Sequence, residues 1–113
     1  MPYIQLRTSK EITREKEKLI KERLGESIEL IGKTEEWLMV EFVSNAHLYF
    51  RGEENISGAY VEVKIFGTRD NRCYQEFTKQ VCQILNEELG LKPENIYISY
   101  GEYHNWGWNG SNF

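Results

Sequence analysis

The sequence is short of cysteine, of long hydrophobic runs and of charge of a single sign, and each shortage removes a class of function. Its two cysteines, Cys73 and Cys82, form no CxxC pair. On what reads below as one helix, nine positions would separate their Cα atoms by about 13 Å at a rise of about 1.5 Å per residue. That is too far for a disulfide. Thiol redox chemistry and a structural zinc centre are therefore not expected, nor is any other metal or cofactor. His47 and His104 have no carboxylate or cysteine at ligand spacing, and read as surface or hydrogen-bonded side chains.

No run approaches the roughly 18 apolar residues of a membrane span, and residues 1–12 lack the long apolar core of a secretory signal. No membrane partner is expected, and the location expected is cytoplasmic. Fourteen Lys and Arg stand against eighteen Asp and Glu, a formal charge of −4, with both signs interspersed along the chain. This is not the basic footprint of a nucleic-acid binder. The densest stretch, Thr13 to Arg23, mixes both signs around Leu19 and Ile20 and reads as the solvated face of a helix.

What is present suits one domain, residues 1–113, with a single core: 40% hydrophobic and 13% aromatic residues. Tyr3 to Arg7 alternates apolar and polar side chains, as a strand with one buried face does. From Thr13 to Ile31 apolar residues recur at three- and four-residue intervals, and Gly32 follows where a helix needs a left-handed cap. Gly25 weakens that helix by about 1 kcal/mol relative to alanine. Trp37 to Val43 reads as a buried strand broken by Glu41.

The same order then repeats. Tyr60 to Phe66 alternates as a strand, Gly67 to Asp70 turns, and Asn71 is placed to cap a helix ending at Leu89–Gly90. Pro93 leads into a last strand from Ile96 to Tyr100. The plan is α+β, a duplicated βαβ with a four-stranded mixed sheet. Right-handed crossovers put both helices on one face. Ile4, Leu6, the 37–43 run and the 60–66 strand offer apolar residues to both faces, so the bare face is expected to be apolar and to drive self-association. The tail, with Trp106, Trp108 and Phe113, fits neither repeat and reads as packing on a neighbouring surface or lining a pocket.

The second residue is proline, small enough for methionine aminopeptidase to remove Met1. The mature chain would then begin with the secondary amine of Pro2, rigid because its ring starts a strand. Burial among aromatic side chains would lower its pKa and make it a general base. On spacing alone, Lys33 after Gly32 is a cation at a helix carboxyl end, and Pro2 is equally a proline that begins a strand.

More specific are Pro2-Tyr3-Ile4, Gly32-Lys33, Leu48 to Gly52, Asn71-Arg72 with Tyr74, Pro93 to Ile98, and Gly107-Trp108-Asn109-Gly110-Ser111-Asn112-Phe113. In this order, over nearly the whole chain, they resemble the macrophage migration inhibitory factor family of the tautomerase superfamily. The resemblance implies a homotrimer of four-stranded sheets around a channel, and cofactor-free keto–enol tautomerisation of phenylpyruvate-like acids in pockets between subunits. By position it makes Pro2 the acid/base and Lys33 the carboxylate-binding cation, with a backbone amide near Ile65 as a further donor. It also implies that Tyr97 and Ser99 of the adjacent subunit face the pocket, and that Trp37, Trp106 and Phe113 belong to its lining. Trp37 replaces the family's usual tyrosine, Ser99 an asparagine common in it, and the CxxC of some animal members is absent. Two alternatives stay open: a cytokine-like or other protein-binding trimer with residual catalysis, exported without a signal peptide, and a small regulatory domain of ferredoxin-like plan.

Overall fold

The computed structural model describes residues 1–113. Strand β1 (Pro2–Thr8), helix α1 (Arg14–Ser27) and strand β2 (Met39–Val43) form the first unit. Strand β3 (Ala59–Phe66), helix α2 (Asn71–Leu89) and strand β4 (Ile96–Tyr103) form the second, and a hairpin of β5 (Gly107–Trp108) and β6 (Ser111–Asn112) closes the chain. The main sheet has the order β2-β1-β3-β4. β1 and β2 are parallel, as are β3 and β4, while β1 and β3 meet antiparallel at the centre.

Alternation decides which side chains are buried. Ile4 and Leu6 lie opposite Val63 and Val61, and all four point at the helices. They meet Ile20 and Leu24 of α1, Ile28 and Ile31 of the turn after it, and Phe77, Val81, Ile84 and Leu85 of α2. The helix ends follow capping chemistry. Thr13 accepts from the Lys16 amide, and Asp70 accepts from that of Arg72, so Asp70 and not Asn71 is the cap of α2.

Three further expectations need correction. The α-helix of the first unit stops at Ser27 and tightens into a 3-10 turn over Ile28–Ile31 before Gly32. Gly25 is buried within α1, and the Glu35 side chain lies over it where a Cβ would sit. Trp37 is not in a strand: it ends a short 3-10 turn, Glu35–Trp37, and β2 is a half-exposed edge rather than a buried strand.

The uncovered face is mixed rather than wholly apolar. It carries Gln5, Arg7, Glu41, Glu62, Lys64 and Ser99 among Tyr3, Met39, Val43, Tyr60, Phe66 and Tyr97, because Ile4 and Leu6 both turn to the helix side. The Tyr3 hydroxyl and Gln5 amide donate to Glu41, and the Tyr60 and Ser99 hydroxyls are 2.7 Å apart. Unpartnered hydrogen-bonding capacity lies instead along the outer strands β2 and β4, each with one open backbone edge. No helix is long and apolar enough to cross a membrane.

Candidate active site

The amino terminus of β1 lies at one end of the sheet, and three segments remote in sequence close around it. Pro2 is buried and faces Ile65 across the β1–β3 ladder. The Phe66 amide donates to the Met1 carbonyl at 3.2 Å, which makes Met1 and Phe66 the hydrogen-bonded pair. Pro2 and Ile65 are then the intervening pair whose amides turn away from each other. The missing N–H of proline thus costs the ladder nothing.

A cleft of about 610 Å³ opens beside this terminus, lined in part by Met1, Pro2, Trp37, Met39, Trp106 and Trp108. The walls are held by aromatic contacts. Trp37 meets Trp108 edge-on at 5.1 Å, Trp108 stacks on Phe113 at 6.5 Å, and Phe113 leans on Phe66 at 5.6 Å. A tight turn at Asn109-Gly110, with φ of 52° and 81°, folds the tail back, and the Phe113 amide donates to the Trp106 carbonyl.

Two cations come from the turns that follow Gly32 and β3. Gly32, at φ 72°, ends the 3-10 turn in the left-handed conformation and turns the chain so that the Lys33 ammonium donates to the Phe66 carbonyl at 2.9 Å. Lys33 thus reaches the end of β3 instead of the helix carbonyls. Arg69, in the turn after β3, donates to the Ile31 carbonyl at 2.8 Å and the Gly32 carbonyl at 3.5 Å. Burial, and then the Arg69 charge, hold the Lys33 ammonium below its ordinary pKa. The chain's terminal amine, on Met1, is lowered by burial first and then by Lys33 and Arg69.

Gly32 is needed twice over. Its φ is one that L side chains disfavour by about 1–2 kcal/mol, and a Cβ would lie 2.8 Å from Arg69 Nε. Gly32→Ala is expected to lower the free energy of urea unfolding by at least about 1–2 kcal/mol.

Of the residues selected from the sequence, Pro2, Trp37 and Trp106 share the cleft. Lys33 and Phe113 adjoin it through Phe66. The Ile65 side chain is 1% exposed and in the core, so it has only its backbone to offer, and the amide that faces Met1 is that of Phe66. Tyr97 and Ser99 are elsewhere: β4 aligns Glu102 with Ile65, so Tyr97 is five residues, about 17 Å, down the strand. There Tyr97 is 62% exposed and packs edge-on against Phe50. Ser99 lines a larger, mostly polar hollow of about 730 Å³ between α2 and the β4 edge. That hollow lacks the chain terminus and its aromatic walls. Residue spacing points to neither Arg69 nor Phe66: Phe66 acts through its own backbone, and the Arg69 guanidinium acts on the backbone carbonyls of Ile31 and Gly32, partners that only the folded chain brings together.

The family model for macrophage migration inhibitory factor (MIF) matches residues 1–113. The Mongolian gerbil (Meriones unguiculatus) macrophage migration inhibitory factor is 29% identical over 118 aligned positions, covering 100% of this chain and 99% of its own. Among solved structures, Leishmania major MIF2 superposes with a TM-score of 0.93 at 27% identity, covering 100% of this chain and 97% of its own. The Prochlorococcus marinus homologue gives 0.87 at 31% identity, with 98% of each chain covered. The whole-chain match and the shared fold agree with the doubled βαβ plan and its aromatic tail, and the chain belongs to the macrophage migration inhibitory factor family.

Proposed function

We propose that the protein is a cofactor-free keto–enol tautomerase for phenylpyruvate-like acids, with the Pro2 nitrogen as general acid/base. The observation that carries this reading is the burial of Pro2 at an aromatic-walled cleft, with Lys33 and Arg69 near the chain's amine. While Met1 is attached, the Pro2 nitrogen is an amide and no base. Its removal leaves a secondary amine, and releases the Phe66 N–H from the Met1 carbonyl.

The chemistry follows from these groups. The neutral amine takes a proton from the carbon next to the substrate carbonyl, and the C–H electron pair becomes the C=C bond. Negative charge gathers on the carbonyl oxygen, which takes the proton now held by the Pro2 ammonium to give the enol and regenerate the neutral amine. Ketonisation runs the same transfers in reverse, with the amine taking the enol proton and delivering it to carbon. Lys33 holds the substrate carboxylate, and the released Phe66 amide donates a further hydrogen bond. Such donors stabilise developing charge better in a water-poor pocket than in water. Trp37, Trp106 and Phe113 exclude water, and that desolvation keeps Pro2 neutral.

Tyr97 and Ser99 complete the pocket from an adjacent subunit of a homotrimer. Their distance from Pro2 within one chain, and the open edges of β2 and β4, support this arrangement. The test of the function compares two forms on enol-phenylpyruvate, with intact mass establishing which residue begins each chain. Protein beginning at Pro2 should ketonise the enol, and protein carrying an uncleaved amino-terminal extension should lose that activity by about 10²-fold or more. Equal rates would refute the amine as base.

A further inference from the structure

We propose that Arg69 is a positioning residue of the Pro2–Lys33 site, clamping the turn that presents Lys33 and adding a second fixed positive charge behind the amine. This rests on the reading above for its site, and names a residue the family resemblance did not supply.

The clamp is visible atom by atom. Nε and Nη2 of Arg69 donate to the carbonyls of Ile31 and Gly32, the last two residues before Lys33. Nη1 donates to the Thr68 carbonyl at 2.7 Å, which ties the guanidinium to its own turn. The Arg69 amide donates to Glu102 at 3.1 Å, and Glu102 also accepts from the Tyr74 hydroxyl. The path thus runs from α2 and β4, through one arginine, to the residue before Lys33. A guanidinium suits this position because its planar fork serves two carbonyls at once, whereas an ammonium is a single rotatable point.

The charge has its own consequence. Lys33 and Met1 bond to the same residue, Phe66, and Arg69 holds the two residues before Lys33. Both cations therefore lie at the end of the sheet where β1 begins, and both lower the pKa of the Met1 amine that precedes Pro2. The cleft adds Lys64 from β3, Glu36 before β2 and the Tyr3 phenol from β1, while Glu102 of β4 lies beyond Arg69. Two cations beside the amine disfavour its protonated form, so removing one makes the amine harder to deprotonate. The same cations attract an anionic substrate.

Mature protein labelled with [15N]proline reports the Pro2 titration by NMR without requiring turnover. The dissociation constant of 3-phenylpropanoate, a carboxylate that cannot enolise, is read from tryptophan fluorescence. Arg69→Gln is expected to raise the Pro2 pKa and weaken binding of this acid by about tenfold or more, the scale of one hydrogen bond to a charged group. Arg69→Lys is expected to keep the wild-type Pro2 titration while still binding several-fold more weakly, since it restores charge but not the fork. Arg72→Gln, an equal loss of charge nearby in α2, should change neither. If Arg69→Gln does not fold, Arg69→Lys carries the test through binding alone. A folded Arg69→Gln protein with unaltered titration and affinity overturns the proposal, as does an Arg69→Lys protein that binds like wild type. A wild-type protein without tautomerase activity, but with these shifts, would instead defeat the proposed reaction and leave the role of Arg69 standing.

Discussion

Pro2→Gly should reduce ketonisation of enol-phenylpyruvate by about 10²-fold or more, the scale on which a positioned general base contributes, while leaving the fold intact. Glycine also allows removal of Met1, so the variant still ends in an amine, but a primary one on a residue without a ring. Pro2 is held because its ring is buried and its neighbours Tyr3 and Ile4 are paired to both β2 and β3. Glycine keeps the strand and loses the aim. Circular dichroism separates this from unfolding. The pH profile carries a second expectation, with its sign set by the neutral base: wild-type kcat/KM should fall as pH drops through the amine pKa. Burial and the same two cations lower the pKa of the Met1 amine in the uncleaved chain. A Pro2 amine one residue further into the strand is expected to feel the same field, so activity should persist to lower pH than an exposed amine would allow. A variant as active as wild type would remove Pro2 from the mechanism.

Mixing two crippled chains should restore activity. Pro2→Gly lacks the base, and Tyr97→Glu places a carboxylate where an anionic substrate must approach. Each alone is expected to lose at least about tenfold in kcat/KM. Because Tyr97 lies about 17 Å along the sheet from the level of Pro2, a shared pocket requires a neighbouring chain. In a head-to-tail ring each pocket takes Pro2 from one chain and Tyr97 from the next. Refolding the two variants together in equal amounts then pairs an intact Pro2 with an intact Tyr97 in about a quarter of the pockets, and activity should return to about a quarter of wild type. No gain over the separate variants would place Tyr97 outside the pocket.

The sequence made the architecture readable where a single physical rule acted alone. Alternation marked β1 and β3, helical spacing with Gly32 and Gly90 marked the ends of the helical segments, and the repeat gave the order of elements. It failed where two rules competed. The 37–43 run has strand-forming residues throughout, yet Trp37 bonds back to Thr34 in a helical turn and only Met39 onward enters the sheet. Glu41 was the clue to an exposed edge, since a strand buried on both faces has no place for an unpaired carboxylate. The tail carries a readable signal as well: Asn109-Gly110 between aromatic flanks is a tight-hairpin sequence, and it forms one.

The candidate site was less legible than the fold. Pro2 and Lys33 acquired meaning only from the family resemblance, since a proline at a strand start and a lysine after a helix are common. Their shared neighbour, Phe66, has no functional side-chain group, and its two backbone bonds, to Met1 and to Lys33, exist only once the strands have paired. Tertiary structure creates that information.

The duplication described above sets how many reactive centres one chain can have. β1 and β3 open equivalent βαβ units but run in opposite directions, so their starts lie at opposite ends of the sheet. The second unit even repeats the glycine stop, with the Lys10 ammonium 3.8 Å from where a Gly90 Cβ would sit. Its first residue, Ala59, however, is joined to Gly58 by a peptide bond, and an acylated nitrogen accepts no proton at neutral pH. A repeated plan can copy every strand and helix but not the free end of a polymer, so of the two equivalent halves only the first can supply the proposed base.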